Sequence, residues 1–240
     1  QEKDLSSDKL YVAGIFDPSE NSLTIDMWNN SNGFKILEIM DKINKINLSK
    51  DSKEILNIAL LTNSYFPKKN IDSEQFLKIK SDWLLKQKDL DLLEINFEKN
   101  QNLKNQSNLI KFYLDYYLSR SDLNKACKIF DKLNSPIKDN YFNKFKIYCL
   151  IDSNKKDEAQ LYLDLLKESG FEDKFFEKKF NYLMEYDEQT NSEISEKSLL
   201  EFHLSHRTNI DFKFEPKINT SKLIWKYLSS TNLLDSVDLI

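Results

Sequence analysis

The two histidines of this 240-residue chain are the side chains best suited to hold a metal ion or to transfer a proton. His203 and His206 are three residues apart, so they would share one face of a helix. A protein zinc site uses three or four ligands, and neither a cysteine nor a His-Glu-x-x-His pattern lies near this pair. We therefore interpret both as ordinary helix-surface or interface residues, with shared metal binding as the alternative, and we predict no metal site.

Acidic residues cluster around one predicted helix, where two carboxylates at a suitable separation would have the chemistry of a glycosidase. The cluster comprises Glu172, Asp173, Glu185, Asp187 and Glu188. Because charged residues make up 31% of the chain, a solvated helix face followed by a polar linker accounts for these carboxylates more simply. The three glycines of the chain are also few for the phosphate-binding loops of nucleotide enzymes. We predict no catalytic residue and no cofactor-binding residue.

The two cysteines are the third candidate for chemistry. Cys127 and Cys149 are predicted on neighbouring antiparallel helices that residues 134–140 connect. A disulfide between them would close a loop of about 22 residues and contribute about 3 kcal/mol to stability. Rotation about each helix axis decides whether the sulfur atoms face each other. The sequence therefore leaves two alternatives open, a disulfide or two buried thiols.

The elements that carry these residues repeat at a constant interval of 33 residues. Four positions of the pattern occur first as Leu85, Asp89, Leu93 and Phe97, then as Leu118, Asp122, Ala126 and Phe130, and more loosely as Ile151, Lys155, Ala159 and Leu163. A period in this range is typical of stacked helical hairpins, in which each pair buries its apolar face against the next. The lack of glycine from residue 34 to residue 169 favours the same architecture.

This periodicity predicts an all-α chain with an irregular N-terminal arm. The predicted parts are the arm over residues 1–33 and an α-solenoid over residues 34–240, with its clearest repeats over residues 72–170. The helical hairpins should break near Gln87, Arg120 and Ser153. Residues 10–16 are apolar and β-prone, so this part of the arm should lie extended on the first helices. A last short helix is predicted over residues 233–240.

Two short stretches carry a resemblance to a known repeat family. Residues 121–126 (Ser-Asp-Leu-Asn-Lys-Ala) and 154–159 (Asn-Lys-Lys-Asp-Glu-Ala) resemble the turn between the two helices of a tetratricopeptide repeat and the alanine that lets those helices pack closely. The resemblance covers about residues 72–170, although the family's usual glycines and proline are absent. It implies a right-handed stack of antiparallel helical hairpins, a degenerate member of the wider α-solenoid group, whose first helices line a concave groove.

A second resemblance concerns the compartment. A group of exported, uncharacterised alphaproteobacterial helical-repeat proteins is similar to this chain at Met27-Trp28, Ala126-Cys127, Tyr148-Cys149 and residues 165–170. This similarity implies a periplasmic or otherwise exported protein, with a cytoplasmic protein as the alternative. A chain that begins at Gln1 fits the removal of a leader peptide, and it fits equally a start chosen within a longer protein.

The tetratricopeptide resemblance also bears on three lysines that follow the 33-residue interval. Each lysine stands in the first helix of its pair, and an aspartate or a tyrosine follows four residues later. The pairs are Lys78 with Asp82, Lys111 with Asp115, and Lys144 with Tyr148. In stacks of this family, such positions form a row along the groove that clamps a partner's carboxylate, although the family's asparagine is replaced here. We predict these six residues as a partner-binding row, with weak i,i+4 pairing on an exposed face as the alternative.

Composition restricts the class of partner. The chain has 35 basic and 39 acidic residues, so no basic excess favours nucleic acid. No apolar run approaches the roughly 18–20 residues that span a bilayer. We predict a noncatalytic interaction scaffold that binds a protein or peptide partner in its groove without a cofactor. The alternatives are the helical superstructure of a larger cell-wall-acting enzyme, whose catalytic domain lies outside these residues, and a structural oligomer.

Overall fold

The computed structural model describes residues 12–100, 107–133, 139–188 and 192–234. Helices dominate these ranges, and the strands within them are two segments of two residues each. The predicted all-α class is therefore confirmed. None of the described helices combines the length and the apolarity needed to cross a membrane. The chain divides into two compact units, with the division between Leu109 and Ile110.

The first unit contains the arm and the first four helices. Its described elements are β1 (Val12–Ala13), α1 (Gly33–Asn44), α2 (Lys50–Leu61), β2 (Ser64–Tyr65), α3 (Ser73–Gln87), α4 (Leu90–Lys99) and the beginning of α5 (Ser107–Leu118). β1 pairs antiparallel with β2, which matches Val12 with Tyr65 and Ala13 with Ser64. Residues 12–16 of the apolar stretch thus lie along the end of α2 and the segment that follows it, and the Ile15 side chain is buried, whereas residues 10 and 11 lie outside the described residues.

The second unit contains the rest of α5 and the helices that follow. Its further described helices are α6 (Leu123–Cys127), α7 (Asn140–Asp152), α8 (Lys156–Glu168), α9 (Lys174–Leu183), α10 (Leu199–Arg207) and α11 (Lys222–Ser230). α6 is short and continues as a 3₁₀-helix over Lys128–Lys132. α7 packs against α8 and α9, and α10 packs against α9 and α11. Most of the helix predicted over residues 233–240 lies outside the described residues.

Most helices begin at a residue whose side chain satisfies the free N–H groups of the first turn. The capping residues are Asn32, Ser49, Asp72, Asp89, Asp122, Asp139, Asp173, Ser198 and Ser221. Asp72 and Gln75 form a reciprocal capping box at the start of α3. Each such cap typically contributes about 1 kcal/mol, so the local sequence fixes where these helices start.

The 33-residue interval is also visible in the backbone. The three helix pairs of the repeat reverse direction at Lys88, Ser121 and Asn154, whose φ angles of 54°, 58° and 59° are left-handed. A left-handed residue turns the chain sharply at the end of a helix. Each pair therefore reverses at the same position of the repeat, and the breaks predicted one residue earlier are confirmed.

Aligned positions in the second helix of each pair are buried. Leu93, Ala126 and Ala159 are all 0% exposed. This burial agrees with the repeat pattern, and in the third pair α7 packs directly on α8. The stacking of all pairs into one continuous solenoid remains a prediction.

A disulfide joins Cys127 at the end of α6 to Cys149 in α7, and the two α-carbons lie 5.5 Å apart. The sequence leaves open a disulfide or two buried thiols, and the structure contains the disulfide. The two cysteines are 22 residues apart in the chain, so the bond holds α6 against α7 independently of the segment that connects them.

Protein isolated from its native source should contain no free thiol when it is titrated under denaturing, nonreducing conditions. Reduction should lower the free energy of unfolding by about 3 kcal/mol, because the cross-link restricts the unfolded chain. The double variant Cys127→Ala/Cys149→Ala is the control, since a reductant should leave its unfolding unchanged. Two free thiols per native chain would contradict the prediction.

Candidate functional site

A buried ion cluster occupies the third position of the predicted lysine row, in the second unit. The ammonium group of Lys144 on α7 lies 2.8 Å from a carboxylate oxygen of Asp173 and 2.9 Å from one of Glu201. The Lys144 side chain is only 9% exposed. Asp173 caps the start of α9 and Glu201 lies in the first turn of α10, so the cluster joins three helices.

Each carboxylate of the cluster has a second partner. Asp173 accepts a hydrogen bond from the backbone N–H of Phe176, and the Ser195 hydroxyl donates to Glu201 at 2.6 Å. Burial disfavours the charge on Asp173, but hydrogen bonds from Lys144 and Phe176 outweigh it and lower the pKa of Asp173. Burial also opposes the charge on Lys144, yet its hydrogen bonds to both carboxylates raise the pKa of the ammonium group. The Lys144 ammonium group is thus paired with two carboxylates inside the protein.

Tyr148, one helical turn after Lys144, is buried as well. Its hydroxyl group lies 2.9 Å from Nε2 of His203, and both residues are 2% exposed. Burial raises the pKa of the Tyr148 hydroxyl. His206 forms a similar contact, with its Nδ1 atom 2.7 Å from the Tyr227 hydroxyl. Each histidine therefore faces a tyrosine of the same unit. Among the described residues, no group of three or more potential ligands is placed to hold a metal ion.

The second lysine of the row is partly exposed. Lys111 lies 3.3 Å from an Asp115 carboxylate oxygen, and its ammonium group is 3.9 Å from the centre of the Tyr141 ring. Tyr141 donates its hydroxyl to Asp115 at 2.6 Å. Burial together with the charge of Asp115 raises the pKa of the Tyr141 hydroxyl. Asp115 is therefore buried between two partners, whereas about half of the Lys111 side chain is exposed.

The first pair of the row lies in an open groove of the first unit. Lys78 and Asp82 form an ion pair of 2.8 Å on α3, with 67% and 47% of their side chains exposed. They line a groove of about 400 Å³ together with Asp72, Glu74, Gln75, Ser81, Ser107 and Asn108. The groove contains carboxylates, an ammonium group, amides and hydroxyls, which suit it to hydrogen-bond and ion-pair contacts with a polar ligand.

The six predicted partner-binding residues thus have three different environments. Lys144 and Tyr148 are not on the surface, because both side chains are buried and contact partners within the protein. The sequence does not reveal this, since Asp173 and Glu201 lie 29 and 57 residues beyond Lys144 in the chain. Of the row, Lys78 and Asp82 are the pair that the structure places in an open groove.

Comparison with protein-family models, with curated proteins and with solved structures gives no match to this chain. The groove beside α3 is therefore interpreted from its own geometry. Its pair Lys78–Asp82 follows the i,i+4 spacing of the sequence, whereas the side chains of Ser107 and Asn108 come from the start of α5.

Replacing Lys144 by Met should lower the free energy of unfolding by about 3 kcal/mol, because the buried Glu201 and the partly buried Asp173 lose their shared cation. Lys78→Met at the equivalent repeat position is the matched control, and it should cost at most about 1 kcal/mol because the pair is exposed. Urea unfolding at neutral pH measures both. Similar losses for the two variants would show that the Lys144 cluster is not a buried ionic contact in solution.

Acid should destabilise the second unit through His203. Burial, with the nearby charges of Arg207 and His206, lowers the pKa of His203 from 6.5 to about 3. Between these values the unfolded chain binds a proton that the folded chain does not, so the free energy of unfolding falls as the pH falls.

In urea unfolding from pH 7 to pH 4, His203→Gln should show a smaller loss of stability than the unmodified protein. Glutamine retains an amide group near the Tyr148 hydroxyl but does not titrate. His206→Asn is the control, with a smaller change because His206 is less deeply buried than His203. If the free energy of unfolding fell equally with pH in the unmodified protein and in His203→Gln, the assignment of the acid sensitivity to His203 would be wrong.

Proposed function

We propose that this protein is an interaction scaffold that binds a protein or peptide partner in the polar groove beside α3. The observation that carries the proposal is an open groove of about 400 Å³ that contains Lys78 and Asp82. These are two of the residues that the repeat pattern singles out for partner binding. A groove of this size accommodates several side chains of a partner.

The exposed ion pair in this groove is easily replaced. Exposed i,i+4 pairs contribute only a few tenths of a kcal/mol, so a partner's charged groups displace the Lys78–Asp82 contact at little cost. The Asp72 and Glu74 carboxylates lie in the same groove, and Ser107 and Asn108 add a hydroxyl and an amide. A partner segment with a carboxylate for Lys78 and a basic group for the acidic side chains would complement it.

The tetratricopeptide-like stacking and the export of the protein belong to the same proposal. The left-handed turns at Lys88, Ser121 and Asn154 support a repeated helical hairpin. The Cys127–Cys149 disulfide supports an exported location, because disulfides persist mainly in oxidising compartments.

The partner can be identified by introducing a photo-crosslinking amino acid at Ser107 in the native source. Binding of that partner should then weaken about tenfold or more in the double variant Lys78→Glu/Asp82→Lys, because the groove charges are exchanged. The ion pair itself is retained in this variant, so the free energy of unfolding should change little.

The matched control is Glu38→Lys/Lys42→Glu, which exchanges an exposed i,i+4 pair on α1 outside the groove. It should leave the affinity unchanged. The interaction of the unmodified protein should also weaken at high salt, since exposed charges are screened. Equal affinities of the groove variant and the control would reject this groove as the binding site.

A further inference from the structure

Side chains of two helices bind the main chain of the N-terminal arm. Lys80 on α3 donates to the carbonyl oxygen of Ala13 at 2.6 Å. Lys99, the last residue of α4, donates to the carbonyl oxygen of Ile15 at 2.5 Å. Ordinary packing of an arm on helices uses apolar side chains, whereas these contacts address carbonyl groups that any amino acid possesses.

Gly14, the residue between these two carbonyl groups, is hydrogen-bonded through both its N–H group and its carbonyl group. The Asn100 amide group accepts from the Gly14 N–H at 3.4 Å and donates to the Gly14 carbonyl oxygen at 3.1 Å. A third hydrogen bond, which the Asn100 amide group donates to the Asn96 side-chain oxygen at 3.1 Å, orients this amide group. Three successive carbonyl groups of the arm thus each accept a hydrogen bond from a side chain of α3, of α4 or of the residue that follows α4.

The other edge of the arm binds the segment after α2. The Ile15 N–H donates to the Leu61 carbonyl oxygen at 2.6 Å, and the Asn63 N–H donates to the Phe16 carbonyl oxygen at 2.9 Å. Together with the β1–β2 pairing, these main-chain hydrogen bonds hold the arm as one strand of a two-stranded sheet, the kind of contact by which extended peptides are also recognised. We call the space between this segment and the side chains of Lys80, Lys99 and Asn100 the arm groove.

One position of the arm requires glycine. A β-carbon at Gly14 would lie 2.3 Å from the Asn63 backbone nitrogen and 2.5 Å from the Thr62 carbonyl carbon, which is closer than atoms approach. The flanking Ala13 and Ile15 side chains are both 2% exposed. The arm groove therefore accepts a small residue, then glycine, then an aliphatic residue, and binds the rest through the main chain.

The arm groove also needs an occupant. Lys80 is 5% exposed, and its acceptors are the carbonyl oxygens of Ala13 at 2.6 Å and Thr62 at 3.4 Å. Without the arm, Lys80 would lose the shorter of these contacts. The apolar side chains of Leu61, Leu77 and Leu84 that line the groove would also be exposed to water, which is unfavourable. The arm fills the groove almost completely, since the cavity that remains beside Lys80 has a volume of about 20 Å³, enough for one water molecule.

We propose that the arm groove is an acceptor site for an extended peptide segment with the pattern small–glycine–aliphatic. The arm is its intramolecular occupant, and a segment of this pattern from a partner protein replaces it. The site is distinct from the polar groove that contains Lys78 and Asp82, and it does not depend on the function proposed for that groove.

The test uses the full chain with Gly14→Val, in which the arm cannot occupy the groove. The probe is a fluorescent peptide with the sequence of residues 10–18, Leu-Tyr-Val-Ala-Gly-Ile-Phe-Asp-Pro. It should bind this variant about tenfold or more tightly than it binds the unmodified protein, whose own arm competes. The same peptide with valine in place of glycine should not bind.

A second form of the protein covers the case in which Gly14→Val does not fold. A protease site inserted between Glu20 and Asn21, in an exposed turn, allows the unmodified arm to be cut after the protein has folded. Excess labelled peptide should then replace the severed arm, as native mass spectrometry would show by the mass of the bound segment.

Two further variants test the assigned contacts in the Gly14→Val background. Asn100→Leu removes both bonds to the central glycine and should weaken peptide binding about tenfold or more. The exposed Lys68→Met is the control and should have no effect. Equal binding of the glycine and valine peptides, or no peptide uptake by either arm-free protein, would overturn the proposal. Exchange of arms between two copies without peptide uptake would overturn it in favour of a second copy as the occupant.

Discussion

The need to pair buried ammonium groups determines how the peripheral segments of this protein are held. Lys80, Lys144 and Lys179 are at most 7% exposed. Lys80 donates to the carbonyl oxygen of Ala13 in the arm, and Lys179 donates to that of Glu193 in the segment before α10. Lys144 binds two carboxylates at the starts of α9 and α10. Because a buried cation without partners is costly, Lys80 and Lys179 each hold an irregular segment in place, and Lys144 links the starts of two helices that already pack in the same unit.

These three contacts differ in strength because their acceptors differ. Carbonyl oxygens are neutral and compensate little of the cost of burial, so burial lowers the pKa of Lys80 to about 7 and that of Lys179 to about 8. The two carboxylates around Lys144 outweigh burial and raise its pKa. The Lys144 cluster therefore stabilises the second unit as a permanent contact. The acceptors of Lys80 are neutral carbonyl groups, which agrees with the proposed replacement of the arm by a partner segment.

A repeated sequence gives equivalent positions but not equivalent environments. Lys78 lies in an open groove, Lys111 is partly exposed, and Lys144 is buried, although 33 residues separate each from the next. In the second unit, α9 and α10 supply the acidic groups that surround Lys144. A row of partner-binding residues along a repeat therefore requires that no later helix covers it, and this condition lies outside the repeat pattern itself.

The sequence alone determined the helical class, the caps and the turns, because these depend on hydrogen bonds between residues a few positions apart. The 33-residue interval predicted the reversals that Lys88, Ser121 and Asn154 make, and the i,i+4 spacing paired Lys78 with Asp82. Only the tertiary structure decided that Cys127 and Cys149 face each other, that Lys144 is buried, and that Asn100 binds Gly14 from 86 residues away. Such contacts depend on the rotation of each helix about its axis and on which segments pack beside it, and no local pattern of residues encodes either.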